Sequence, residues 1–209
     1  MMDMDGIKWL FFDMGSTLLD ETGVYEDIFH KIAVAANVSE DLVKEKATEF
    51  YKQNKKGDKE VVKIYGIESP KWNPGLERVY GDTEAALIEL KKKYKIGIIA
   101  NQMYGSEGRL ENFGIRKYLD VIVASAEEGV EKPDRRIFDI ALERAGCKPS
   151  EAVMIGDRID NDIVPAKKLG MKTVWIKQGF GRYWKLEGKE QVPDYEVDSL
   201  MELVDILKV

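Results

Sequence analysis

Short apolar runs recur along the chain at wide intervals: IKWLFF (7–12), IGIIA (96–100), VIVA (121–124), AVMI (152–155) and TVWI (173–176). None alternates regularly with polar residues, and each is bounded by turn formers or charges, as expected of strands buried on both faces of a parallel sheet. Helical patterns separate them. Across 134–145, Ile137, Ala141 and Ala145 repeat every fourth residue beside Phe138 and Leu142, and Gly146 supplies a stop. A helix is predicted over 83–94, capped by Asp82 or Thr83, with Lys91 to Lys93 near its negative end. Another follows Asn161 and stops at Gly170, with Pro165 tolerated in its first turn. Strands alternating with helices predict right-handed crossovers and a doubly wound α/β domain.

One interval breaks this rhythm. After the first strand come an amphipathic pattern at 24–36 (Val24, Ile28, Ile32, Ala35) and a charged helical pattern at 40–56. A shorter segment at 60–65 and the loop IESPKWNPG follow, with no convincing strand. The reading is a small helical cap over residues 19–80, inserted into a core formed by 1–18 and 81–209. The tail PDYEVDSLMELVDIL is expected to give an edge strand and a closing helix.

Composition narrows the class. Of 209 residues, 44% are hydrophobic and 33% charged, as in ordinary globular proteins. The net charge of −6 disfavours nucleic acid as a partner. No apolar segment approaches the roughly 20 residues that span a bilayer, so no membrane partner is expected. Lys8 interrupts the first apolar run, which therefore reads as a strand and not a leader. The lone Cys147 excludes an intrachain disulfide, suits a cytoplasmic setting and is expected to be structural. Oligomeric state leaves no readable mark.

Candidate chemistry gathers where the predicted strands end, which is where open α/β sheets bind ligands. Asp13 follows WLFF, Asn101 follows IGIIA, and GDRIDND after AVMI brings Asp157, Asp160 and Asp162. A carboxylate ending a strand rich in Trp and Phe is costly unless something uses it. Asp160 sits where a helix N-cap is wanted and is read as a cap. Asp13 and Asp157, with Asp162 as a third candidate, would repel one another without a cation, and oxygen-only ligands favour Mg²⁺. Lys132, in GVEKPD, offsets that charge and is placed to hold a phosphate oxygen. The main-chain N–H groups of the turn at 14–17, Met14 and Gly15 included, suit an anion nest, and Asn101 is a further phosphate candidate. Together these describe a phosphoryl-transfer site with Asp13 available as nucleophile.

These residues carry a recognisable signature. FFDMGSTL, IGIIANQ, EKPDRRIFDIAL and VMIGDRIDND occur in the order of the four motifs of the haloacid dehalogenase (HAD) superfamily, which the chain resembles over almost its whole length. The resemblance implies a Rossmann-like core with a small helical cap after the first strand. It implies Asp13 as the nucleophile of an aspartyl-phosphate intermediate, and Mg²⁺ held by Asp13, the Gly15 carbonyl and Asp157. Asp162 would join the metal or stand behind it, Thr17 would orient the nucleophile loop, and Lys132 would bind phosphate and Asp13. The implied substrate is a small phosphorylated metabolite.

Two positions depart from the pattern. The motif-one acid is replaced by Gly15, and the motif-two hydroxyl by Ala100. General acid–base catalysis contributes about 10²–10⁴-fold, and a hydrogen bond to a charged group about 1.5–3 kcal/mol. The expectation is a Mg²⁺-dependent phosphatase that prefers good leaving groups or recruits an acid from elsewhere, and Gly15→Asp is expected to raise alkyl-phosphatase activity. The alternative is a non-catalytic protein that keeps the scaffold; dehalogenase and phosphomutase readings stand lower. His30 lies off the apolar stripe and is expected to face solvent. GFGRYWK (179–185) is weak evidence for nucleic acid, the lysines at 52–59 read as a solvated helix face, and Trp72, Asn73 and Tyr104 read as packing or surface.

Overall fold

The computed structural model describes residues 4–207. Its elements are, in order, β1 (Trp9–Phe12), β2 (Leu19–Asp20), α1 (Thr22–Ala36), α2 (Glu40–Tyr51), α3 (Gly57–Tyr65), β3 (Arg78–Val79), α4 (Thr83–Lys91), β4 (Lys95–Ala100) and α5 (Ser106–Asn112). Then come β5 (Val121–Ala124), α6 (Ser125–Glu128), α7 (Arg135–Ala145), β6 (Ala152–Gly156), α8 (Val164–Leu169), β7 (Lys172–Ile176), β8 (Tyr195–Val197) and α9 (Leu200–Leu207). Six strands form one sheet in the order β5-β4-β1-β6-β7-β8, every pairing parallel.

The missing polar alternation of β1 now has its reason. Leu10 and Phe12 belong to one apolar core with Leu87 and Leu90 of α4 and Leu203 of α9. Trp9 and Phe11 face the opposite core, against Ile137, Phe138 and Ala141 of α7. Both faces of the strand are covered by helices. Gly97 on β4 is part of this fit: a Cβ there would come within 2.7 Å of the Phe11 ring.

Helices α1–α3 pack on one another around Val24, Ile28, Ile32, Val43, Ala47 and Val61. Ala33, not Ala35, completes the buried stripe of α1. The chain enters and leaves this layer through a two-residue antiparallel ribbon, Leu19 opposite Val79 and Asp20 opposite Arg78. Strands this short leave no periodicity to read in a sequence. Helix α2 stops at Tyr51, short of the expected 56, because residues 52–56 turn back with Asn54 at φ 60°. The Asn54 carboxamide donates to the Lys185 carbonyl (2.9 Å) and accepts from its N–H (2.8 Å). Lys52, Lys55 and Lys56 are thus on a turn and not on a helix face.

The loop at 179–185 is tied to the same layer. Phe180 stacks on Tyr51 with centroids 4.2 Å apart and meets Tyr25 edge-on at 4.8 Å. Asp82 precedes α4 but makes no capping bond there. Its Oδ2 accepts from the N–H groups of Leu200 (3.0 Å) and Met201 (3.2 Å), capping α9 from across the fold. Asp82→Ala is therefore expected to cost about 1 kcal/mol, the usual worth of a cap, read as a lowered thermal midpoint with the substrate site unaffected. No helix among the described residues is long and apolar enough to cross a membrane.

Candidate active site

From β1 the chain winds to β4 and β5 on one side and returns to β6 on the other, so the carboxyl ends of β1, β4 and β6 flank the reversal. Asp13 leaves β1 with its N–H on the Ile155 carbonyl at 2.8 Å. Lys132 comes up beneath it, 3% exposed. The three donors of its ammonium go to Asp13 Oδ1 (2.7 Å), Asp162 Oδ1 (2.6 Å) and the Ile99 carbonyl (2.8 Å). The facing carboxylates outweigh the cost of burial, and Lys132 is held above its ordinary range. All three N–H groups are spent within the protein, so Lys132 orients the nucleophile candidate and has none left for a phosphate oxygen in this arrangement.

Asn101 takes a part beyond the one expected of it. Its carboxamide donates to the Lys132 carbonyl (2.8 Å) and accepts from the Lys132 N–H (2.7 Å). It borders the cleft but serves to fix the backbone that delivers the lysine. Asp160 caps no helix: it forms a two-pronged pair with Arg158, with bonds of 2.9 and 2.6 Å. The predicted helix after Asn161 opens as a wide π turn over Ile159–Ile163, and α8 follows. That turn draws Asp162 back under the sheet end.

Asp13, Asp157 and Asp162 each offer an oxygen, and these lie within 4.8 Å of one another. Asp162 is fully buried, with Oδ1 on Lys132 and Oδ2 accepting from the Arg158 N–H at 3.0 Å. Burial pushes its carboxyl up to about 7, against the opposing pull of Lys132. Asp157 is 5% exposed, and its carboxylate accepts no hydrogen bond among the described residues. Burial, then Asp13 and Asp162, drive it well above the usual carboxylate range. An all-oxygen donor set with one buried carboxylate lacking any donor fits a hard divalent cation. Asp13 and Asp157 are the residues able to hold it, with Asp162 behind them.

The turn after Asp13 is tight, with the Met14 carbonyl accepting from the N–H groups of both Leu18 and Leu19. Met14 is fully buried and is not part of the cleft lining. The Thr17 hydroxyl is buried and has no hydrogen-bond partner among the described residues. Ser16, at φ 51°, donates instead to Glu21 Oε2 at 2.9 Å. Glu21 is 8% exposed and lies against Gly15: a Cβ on Gly15 would sit 2.7 Å from the Glu21 carboxyl carbon. Burial pushes this carboxyl up to about 8, opposed by the Ser16 bond and reinforced by Asp13 and Glu77. Gly15→Asp alone would drive a second carboxyl into the first, so the gain expected of it from sequence needs Glu21 removed as well.

These groups open on a cleft of about 450 Å³, roofed by Tyr25, Lys56 and Trp72 and floored by Asp13, Asp157 and Arg158. Trp72 lines the cleft and donates its indole N–H to Glu77 at 2.8 Å, so it is more than packing. Asn73 accepts from the Gly75 N–H at 3.2 Å, and Tyr104 is exposed away from the cleft. His30 is exposed and bonds Glu40 at 2.6 Å, as expected of a surface residue. Cys147 is half-buried, its thiol pushed by burial up to about 11. Sequence reasoning missed Glu21 and Lys56. Glu21 reads locally as the start of a helix, and Lys56 is one of several lysines in a polar run.

Comparison with known proteins agrees with this geometry. The family model described as haloacid dehalogenase-like hydrolase matches residues 7–170. The chain is 33% identical to a glyceraldehyde 3-phosphate phosphatase of Methanocaldococcus jannaschii, with 97% of each covered. It is 30% identical to that of Pyrococcus furiosus, over 98% of this chain and 95% of the relative. Among solved structures, a HAD phosphatase from Thermococcus onnurineus superposes with a TM-score of 0.66 at 28% identity, over 96% of this chain and 98% of that one. The match runs through both the strand that delivers Asp13 and the loop that delivers Asp157, and the chain belongs to the haloacid dehalogenase-like hydrolase family.

Proposed function

We propose that the protein is a Mg²⁺-dependent phosphatase of a small phosphorylated metabolite, working through an aspartyl-phosphate on Asp13. The observation that carries this reading is the Asp13 carboxylate at a strand end, tethered by Lys132 and within reach of an ion shared with Asp157. Bound there, Mg²⁺ would neutralise charge between nucleophile and phosphate. Asp13 and Asp157 would hold it with the Gly15 carbonyl, while Asp162 keeps Lys132 in place. Helices α1–α3 would act as the cap that excludes water. The full-length relatives named as glyceraldehyde 3-phosphate phosphatases put three-carbon phosphates first among candidate substrates.

The test is a panel of alkyl, aryl and acyl phosphates, glyceraldehyde 3-phosphate included, with Mg²⁺ and with a chelator. Turnover of at least one ester, lost on chelation, is expected. Binding of Mg²⁺ and phosphate with no turnover of any member would favour the non-catalytic reading, for which the loss of a hydroxyl at Ala100 speaks.

A pH dependence follows in the metal-free protein. Glu21 rises from an ordinary 4.5 to about 8, and Asp162 from 3.8 to about 7. On raising the pH the unfolded chain releases these protons first, so stability is greatest below the ordinary values and declines through neutrality. Mg²⁺ needs ionised carboxylates, so its gain in thermal midpoint should be larger at pH 8 than at pH 5. An equal gain at both would dissociate the ion from this cluster.

A further inference from the structure

Gly15 leaves the turn after Asp13 without a side chain, and the space is not empty. The Glu21 carboxyl fills it, with Oε1 the atom nearest to where a Cβ on Gly15 would be. The glutamate reaches this point from the mouth of α1, where its carbonyl accepts from the N–H groups of Val24 and Tyr25 at 3.0 Å. Ser16 fixes Oε2, and the group borders the same cleft as Asp13 and Asp157. Among the described residues it forms no ion pair with a lysine or arginine, although it is nearly buried. A carboxyl in that position is costly unless it is put to use.

We propose that Glu21 is the general acid and base of this site, standing in space where the family's motif-one acid stands in sequence. The inference rests on the phosphatase reading above. As an Asp13 oxygen bonds to phosphorus and the ester P–O bond breaks, the Glu21 carboxyl gives its proton to the departing alkoxide. The resulting carboxylate then takes a proton from the water that attacks phosphorus. The aspartyl P–O bond breaks, Asp13 is restored as carboxylate, inorganic phosphate leaves, and Glu21 is again protonated. The replacement of the usual acid by Gly15 therefore does not restrict the enzyme to good leaving groups.

Leaving-group dependence tests this. In Glu21→Gln, kcat/KM for an alkyl ester such as glyceraldehyde 3-phosphate should fall on the order of 10²–10³-fold. The kcat/KM for p-nitrophenyl phosphate, which reports phosphoryl transfer to Asp13 and whose leaving group needs no proton, should change only a few-fold and also reports that the variant is folded. In Gly15→Asp combined with Glu21→Ala, the alkyl rate should recover well above that of Glu21→Gln. An undiminished alkyl rate in Glu21→Gln, or parallel loss of kcat/KM on both esters, would overturn the assignment. A wild-type enzyme inert to the whole panel would overturn the phosphatase reading, an Asp13→Asn variant that keeps its rate would overturn the covalent route, and either would take this inference with it.

Discussion

Asp13→Asn should eliminate phosphate-ester turnover, by about 10⁴–10⁶-fold, the scale on which removal of a covalent nucleophile acts. An amide keeps the size of the side chain and still accepts from Lys132, but it has no charged oxygen with which to open the ester. The fold should survive. Asp13 is one of three acidic groups facing one another beneath the cleft, and neutralising it relieves Asp157 of the largest charge that opposes its ionisation. The metal-free variant should therefore melt no lower than wild type. The two readouts separate causes: lost rate with an unchanged melting curve is chemical, lost rate with a lowered one is not. A variant that still turns over would remove the covalent mechanism altogether.

The largest expected effect on stability is that of Lys132→Met. The ammonium bonds two carboxylates and a main-chain carbonyl from an almost fully buried position. Replacing it by an apolar chain of similar length leaves Asp162 buried with no cation, and breaking a buried pair in this way costs about 3–5 kcal/mol. The cost should depend on pH. Asp162 already sits near 7 with Lys132 beside it, and without that neighbour it moves higher. At pH 5 the variant can protonate the acid at little cost, while at pH 8 holding that proton or burying the charge costs more. Urea unfolding at the two pH values reads the difference, and adding Asp162→Asn should recover part of the loss at pH 8. Equal destabilisation at both would mean that packing, not charge, is what Lys132 supplies.

How far the sequence reveals this molecule depends on whether a feature is local. The strand VIVA at 121–124 matches β5 residue for residue, and the helix predicted at 134–145 begins one position later, with Asp134 accepting from the Arg136 N–H as its cap. These elements are specified by runs of apolar residues and by caps a few positions away. Asp13, Lys132 and Asp157 were legible as strand-end residues, because parallel strands must deliver their ends to one edge. The duties of individual side chains were not. Asp82 looks like the cap of the helix it precedes but serves a helix more than a hundred residues later. Asn101 looks like a phosphate ligand, and nothing in the string shows that it also brackets the Lys132 backbone. Tertiary neighbours decided both. Glu21 was hidden for a similar reason: eight residues after Asp13, nothing in the string shows that a tight turn brings it back beside Gly15.

The two-residue ribbon that joins the layers has a mechanical corollary. Glu21 directly follows Asp20 on one strand of it, and Glu77 directly precedes Arg78 on the other. Were the helical layer to swing about this ribbon, Glu21 would move with it, while Asp13 and Lys132 are rooted in the sheet. On the roles proposed above, such an opening would part the acid from the nucleophile, so that solute exchange and protonation would alternate.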